Sequence, residues 1–223
     1  MQTSFIHLRV SSEFSISRGL LRINEIIENA QKLNMPAVAL SDLNNMFGMV
    51  KFFKKAEAAG IKPIAGTILN LRSRSGELGE VLCLAKNNDG LKSLMGIISQ
   101  SQLQQENGYI SITFEDLSSC VGNIVVISGG AASSIFNLAK LKKNQDLKTE
   151  LSSFKETFKD DFCIELQRLG KSFEEEFIQC ILPLASELQI PVIATNDTMF
   201  SQKGDFDIHE TKVCINTGKT LND

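Results

Sequence analysis

What most constrains this chain is the regular recurrence of short apolar runs, rich in β-branched residues, with longer amphipathic segments between them. The seven runs are FIHLRV (5–10), PAVALS (36–41), KPIAGTILNL (62–71), VLCLA (81–85), NIVVIS (123–128), FCIEL (162–166) and PVIATN (191–196). Strands that are apolar along their whole length are buried on both faces, the condition found inside a parallel sheet covered by helices. Seven such strands are too many for a minimal flavodoxin-like sheet and suit either a doubly wound sheet or a (β/α) barrel.

The intervening segments read as crossover helices. LLRINEIIENAQKL places Leu20, Ile23, Ile26, Ile27, Ala30 and Leu33 on one helical face. MVKFFKKAEAAG does the same with Val50, Phe53 and Ala56 and stops at Gly60, a favourable residue just past a helix end. FEEEFIQCILPLASEL repeats the pattern, with Pro183 expected to kink or split it. The segment 99–119 reads as a long polar connection carrying a short helix, NNDG (87–90) as a turn, and 141–161 as a solvated surface helix. Nothing is rich enough in Pro, Gly or Ser to divide the chain, so a single domain is expected over residues 1–223.

Composition excludes several classes. A net charge of −3 and a pI near 5.5 give no global attraction for nucleic acid, which needs clustered Lys and Arg. The five cysteines are scattered, odd in number and without CxxC spacing, so neither a disulfide framework nor a zinc knuckle is implied, and a reducing cytoplasm is expected. Cys83, inside VLCLA, reads as a small core hydrophobe. No run approaches the roughly 18 apolar residues of a membrane span. No phosphate-cradling glycine loop follows any strand.

In doubly wound sheets and in (β/α) barrels alike, chemistry gathers at the C-terminal ends of the strands. Here those ends carry Arg9, Ser11, Ser12 and Glu13, then Asp42 and Asn45, then NLRSRSG, and finally Asn196 and Asp197. Each aspartate is either a site residue or a helix cap. A multinuclear metal centre needs several converging His, Asp or Glu ligands, and the chain has only His7 and His209. A carboxylate-only magnesium site is the most that could be assembled. His7 and Arg9 share one side of a strand, from which Arg9 could pair with Asp42 or Asp197 and tie adjacent loops together as a shared ion would.

The stretches FIHLRVSSEFSISRGLLRINEII, MPAVALSDLNNMFGMVKFFKKAEAAGIKPIAGTILNL, LAKNNDGLKSLM, FCIELQRLG and PVIATNDTMFSQKGDFDIHETKVCINTG together resemble the PHP (polymerase and histidinol phosphatase) domain at the N-terminus of the bacterial DNA polymerase III alpha subunit. The likeness runs through nearly the whole chain in order. It implies a distorted (β/α)7 barrel of the TIM-barrel-like type. It also implies that the natural chain continues into the polymerase domains of a DNA-directed DNA polymerase, where a separate catalytic domain uses magnesium.

Against the metal-binding members of that family, the ligand positions of this sequence are largely replaced. The paired histidines of the first motif fall on Arg9 and Ser11 and the aspartate after them on Arg18. The second-motif histidine falls on Leu43, the glutamate after PI.G on Ile68, and a later histidine on Glu80. The histidine near IELQ falls on Leu169, and the last Asp-x-His pair becomes Asp197 and Met199. Leu, Ile and Met cannot ligate a hard divalent cation, and arginines repel one. The resemblance therefore implies a vestigial metal site, with no metal or cofactor expected in this domain and no catalysis of its own. The partners it implies are the remainder of the alpha chain and the proofreading exonuclease subunit, with DNA met only through the full polymerase and no membrane.

Two other readings compete. An active metal-dependent PHP phosphoesterase or proofreading nuclease would need the missing ligands. A small-molecule barrel enzyme would use Asp42 or Asp197 as general base. Met46, Met199 and Phe200, near the expected barrel mouth, are candidates for a partner surface.

Overall fold

Six of the seven apolar runs form strands, and the seventh strand comes from an unexpected place. The computed structural model describes residues 5–16, 18–105 and 108–221. The chain divides into two compact units, one formed by 1–65 with 197–223 and the other by 66–196.

The first unit contains α1 (Ile23–Lys32), β1 (Ala37–Leu43), α2 (Met49–Ala58), the start of β2 (Lys62–Arg72) and, from the end of the chain, α8 (Phe206–Thr217). Its core is the apolar face of α1 (Ile23, Ile26, Ile27, Ala30), the buried strand β1 and Met49, Phe52 and Ala56 of α2. Leu20 and Leu33 fall outside α1, and Leu33 is exposed. The face expected for α2 is also corrected: Val50 is 70 % exposed and Phe52 fully buried, so the buried stripe is rotated by one position. Gly60 ends this element as expected, with a positive φ of 71°.

The run 5–10 is not a regular strand. It lies extended beside β1, with Ala39 N donating to His7 O (2.9 Å) and Ser41 N to Val10 O (2.9 Å). At Val10 the ladder is interrupted, because Val10 N donates to the Ser41 hydroxyl (2.8 Å) instead of a carbonyl. Only isolated bridges remain, Val10 with Thr198 and Ser12 with Leu21.

The second unit holds the remainder of β2, then β3 (Leu78–Ala85), α3 (Asn88–Leu103), β4 (Ile112–Thr113), α4 (Phe114–Ser118), β5 (Ile124–Ile127), α5 (Ser134–Lys140), α6 (Asn144–Phe158), β6 (Phe162–Leu166), α7 (Glu174–Glu187) and β7 (Val192–Ala194). The expectation of a parallel sheet is overturned here. β3 is antiparallel to β2, with Thr67 opposite Cys83, and antiparallel to β5, with Leu82 opposite Ile127. β5 with β6, β6 with β7, and β4 with β2 are parallel. The reason is the 73–77 connection, closed by Ser73 N donating to Glu77 O (2.9 Å). A link that short can only return the chain antiparallel, since a parallel crossover takes a dozen residues or more.

Three further expectations change. NNDG is the first turn of α3, capped by the Asn87 side chain, which accepts from Gly90 N at 2.8 Å. α3 takes up 99–103 of the expected connection, β4 supplies the seventh strand, and residues 106 and 107 lie outside the described residues. α6 is more than a solvated helix: Leu147, Leu151, Phe154 and Phe158 are buried, and Phe154 stacks on Phe162 at 4.7 Å and meets Phe114 edge-on at 5.0 Å. α7 runs unbroken through Pro183. Pro183 and Gln179 are both exposed, so the carbonyl freed by the proline faces water.

Among the described residues, no helix is long and apolar enough to cross a membrane.

Candidate functional site

The strand-end residues of the first unit form a dense polar cluster. Arg9 Nε donates to Asp197 Oδ1 at 3.0 Å, the side chains being 2 % and 11 % exposed. The backbones of the two segments are knit together as well: Thr198 N donates to Arg9 O (3.2 Å) and Ser11 N to Thr198 O (2.9 Å). The ion pair thus closes a seam that the backbone already aligns.

Asp42, at the end of β1, is 1 % exposed. It accepts from Ser12 N (2.7 Å), from Ser12 Oγ (2.8 Å to Oδ2) and from Ser15 Oγ (2.7 Å). Burial pushes its carboxyl up from the ordinary aspartate range, and the serine donors oppose that shift. Ser15 Oγ in turn accepts from Leu43 N (3.0 Å), and Asn45 Nδ2 donates to the Phe14 and Leu43 carbonyls (3.1 and 2.9 Å). Neither aspartate is a helix cap: α2 is capped at Gly48 and α8 at Asp205. Within the hydroxyl-rich SSEFS loop, Ser12 and Ser15 surround the buried Asp42 carboxylate with donors. Gly19 lets the loop close, since a Cβ there would lie 1.9 Å from Ser12 O.

The remaining named positions are spread over the molecule. Ser11 is buried, and its hydroxyl has no hydrogen-bond partner. Arg18, Leu43 and Met199 are half-buried in the first unit. His7 is half-buried with Nδ1 3.3 Å from Thr198 Oγ1, and burial pulls its pKa down. Met46 is half-buried as well, as is Phe200, whose ring lies 5.2 Å from that of His209. In the second unit Ile68 is fully buried on β2, Glu80 on β3 lies opposite Asn70, and Leu169 follows β6 at the surface.

These residues do not fit a divalent metal centre. Arg9 puts a guanidinium on the carboxylate that would serve as ligand, and Leu43, Ile68 and Met199 offer no oxygen donor. Among the described residues no three His, Cys, Asp or Glu side chains come together as metal ligands. Nor is Asp42 open to a substrate, being almost fully buried among serines. The roles of Ser12, Ser15 and Ser41 were missed in the sequence, although the density of hydroxyls after the first run was their signal.

Comparison with known proteins gives a consistent picture. The PHP domain family matches residues 7–169. The DNA polymerase III subunit alpha of Pseudomonas aeruginosa is 37% identical over 228 residues, covering 100% of this chain and 19% of that protein. That of Escherichia coli K12 is 35% identical over 223 residues, covering 98% of this chain and 19% of that protein. The chain thus spans about a fifth of the length of the curated relatives it matches. Among solved structures, a Bifidobacterium adolescentis protein proposed to be a metal-dependent phosphoesterase superposes with a TM-score of 0.62 at 12% identity, over 87% of each chain. An amidohydrolase from Chromobacterium violaceum, with bound sulfate and no metal, superposes with a TM-score of 0.59 at 12% identity over 87% of each chain. At such identity the likeness carries the fold alone, which is mixed α/β of the distorted, TIM-barrel-like type.

Proposed function

This chain belongs to the PHP domain family, and from that premise we propose that it is the N-terminal module of a replicative DNA polymerase III alpha subunit, serving as a scaffold and not as a phosphoesterase. The observation that carries this reading is the Arg9–Asp197 pair, in which a cationic side chain neutralises the one carboxylate retained from the family's ligand set. A bidirectional tie between two chain segments is what a shared metal ion provides structurally, and an Arg–carboxylate hydrogen bond provides it without the ion. Asp42, saturated by Ser12 and Ser15, fixes the adjacent loop in the same manner.

In this reading the polymerase chemistry, with its magnesium, belongs to another part of a longer chain in the bacterial cytoplasm. The module's partners are the rest of that alpha chain and the proofreading exonuclease subunit, and DNA is engaged by the assembled polymerase. The 37% identity to the P. aeruginosa alpha subunit across the whole of this chain supports the assignment to replication.

The test is the metal content of the tag-free chain by elemental analysis after incubation with zinc, manganese and magnesium and then desalting. Substoichiometric metal, together with no metal-dependent hydrolysis of a phosphodiester, is the expected result. A stoichiometric ion that supports hydrolysis would restore the phosphoesterase reading.

A further inference from the structure

The first unit contains a cavity of about 330 Å³ that the scaffold reading does not use. It lies beside α1, and none of the vestigial ligand positions lines it. Its volume falls at the lower end of the roughly 300–1,000 Å³ range of small-molecule sites.

The wall is apolar: Val10, Leu21, Ile26, Ala30, Met35 and Val38 all line it and are all buried. Leu33, which helical periodicity assigns to the buried face of α1, also lines this cavity and is exposed, since it borders open space instead of packed side chains. The neutral polar groups of the lining are taken up by one another. Asn29 Nδ2 donates to Ser201 Oγ (2.8 Å), and His7 Nδ1 lies 3.3 Å from Thr198 Oγ1. Burial pulls the His7 pKa below its ordinary 6.5, so the ring is uncharged near neutral pH. Lys32 differs from all of these: it is exposed, and it has no ion-pair or hydrogen-bond partner for its ammonium among the described residues. Nor does any described Asp or Glu line the cavity.

A cavity so lined has few polar partners to offer water and takes an apolar guest instead. The single unpaired cation sets the sign and the size of the charge that such a guest can carry. We propose that this cavity binds a small monocarboxylate with an apolar body, the body lying against Val10, Ile26 and Val38 and the carboxylate meeting the Lys32 ammonium. Two other head groups match it less well. A phosphate monoester, with nearly two negative charges, would keep one of them without a counter-charge. An ammonium head would meet Lys32 as a like charge.

The test is isothermal titration calorimetry of the chain near neutral pH with three probes of equal length: octanoate, octanol and octylammonium. The expected result is a saturable site for octanoate with a Kd of roughly 0.1–1 mM, weaker binding of octanol and the weakest of octylammonium. Lys32→Gln, a change at an exposed position, is expected to weaken octanoate about fivefold and to leave octanol unchanged. Ala30→Leu, which fills the cavity, is expected to abolish binding of all three probes. Methyl NMR of the unmodified chain locates the site without any substitution: octanoate should shift Val10, Leu21, Ile26 and Val38, and should Ala30→Leu fail to fold, these shifts decide in its place. No saturable octanoate binding, octylammonium binding as tightly as octanoate, a Lys32→Gln chain that still prefers octanoate as strongly, undiminished binding in folded Ala30→Leu, or methyl shifts confined to other residues would each overturn the proposal. None of these outcomes bears on the metal content that tests the scaffold reading.

Discussion

Arg9 is 2 % exposed and Asp197 11 %, so their ion pair has been taken largely out of water. The stabilisation such a pair contributes over apolar substitutes is small, but removing one partner strands the other charge. Arg9→Ala is accordingly expected to cost about 3–5 kcal/mol in chemical denaturation. In a double-mutant cycle, Arg9→Ala with Asp197→Ala should cost less than the sum of the single changes. Additive costs would show that the pair does not act as a unit. Asp42 makes a prediction in pH. Its folded pKa lies above the ordinary value of 3.8, so the stability it contributes is fully present below that value and is lost as pH rises through the folded pKa. Subtracting the stability curve of Asp42→Asn from that of the unmodified chain should leave a component falling with pH above about 3.8. A difference that rises with pH would mean the serine donors outweigh burial. Both aspartates stood out in the sequence by lying just after apolar runs, but their partners did not. Capping and ion pairing leave the same short-range signature, and the partners lie 30 and 188 positions away.

Among the elements, α2 shows how a helical face can be misread by one position. Met49, Phe52 and Ala56 and the alternative set Val50, Phe53 and Ala56 are both spaced for one face, and the tertiary neighbours decide between them. Phe52→Ala is expected to cost about 3–5 kcal/mol by leaving a cavity, and Val50→Lys to stay within about 0.5 kcal/mol of the unmodified chain. The reverse order in urea unfolding would return the buried stripe to Val50. The β2–β3 hairpin supplies a second comparison. Gly76 adopts φ +83° in open space, so Gly76→Ala is opposed by backbone strain alone, about 1–2 kcal/mol. At Gly79 a Cβ would lie 2.1 Å from Ser134 N, a clash with backbone that cannot turn aside. Gly79→Ala should therefore cost more than Gly76→Ala, about 3 kcal/mol or more. Strand existence was legible because the apolar runs are dense in β-branched residues. Strand direction was not, because a doubly buried strand looks alike in either polarity and only the brevity of the 73–77 link decides. The two-residue β4 carries too little pattern to be seen at all.

For the molecule as a whole, the informative sequence signals were the alternation of runs and segments, and the motifs shared with the PHP family. Neither depends on strand direction, so the fold class survived the error about parallel pairing. Net charge acts at this scale too. With 23 basic and 26 acidic side chains, the chain offers no surplus of cations to release counterions from a duplex. Several of the basic groups are also spoken for by carboxylates: Arg9 by Asp197, Lys86 by Asp161, Lys143 by Glu77, Lys148 by Glu187 and Arg168 by Glu175. Non-specific duplex binding by basic proteins has a Kd of roughly 10⁻⁴–10⁻⁶ M at physiological salt, and this chain should bind more weakly than that range. Fluorescence anisotropy of a labelled duplex at about 150 mM salt is then expected to show no saturation up to about 100 μM protein. The salt series is what gives the measurement its force. Saturable binding whose affinity falls steeply with salt would reveal a local cluster of cations acting despite the acidic total. Weak, salt-insensitive binding would point to apolar contact instead. A flat titration at every salt concentration is the outcome that the proposed scaffold role expects.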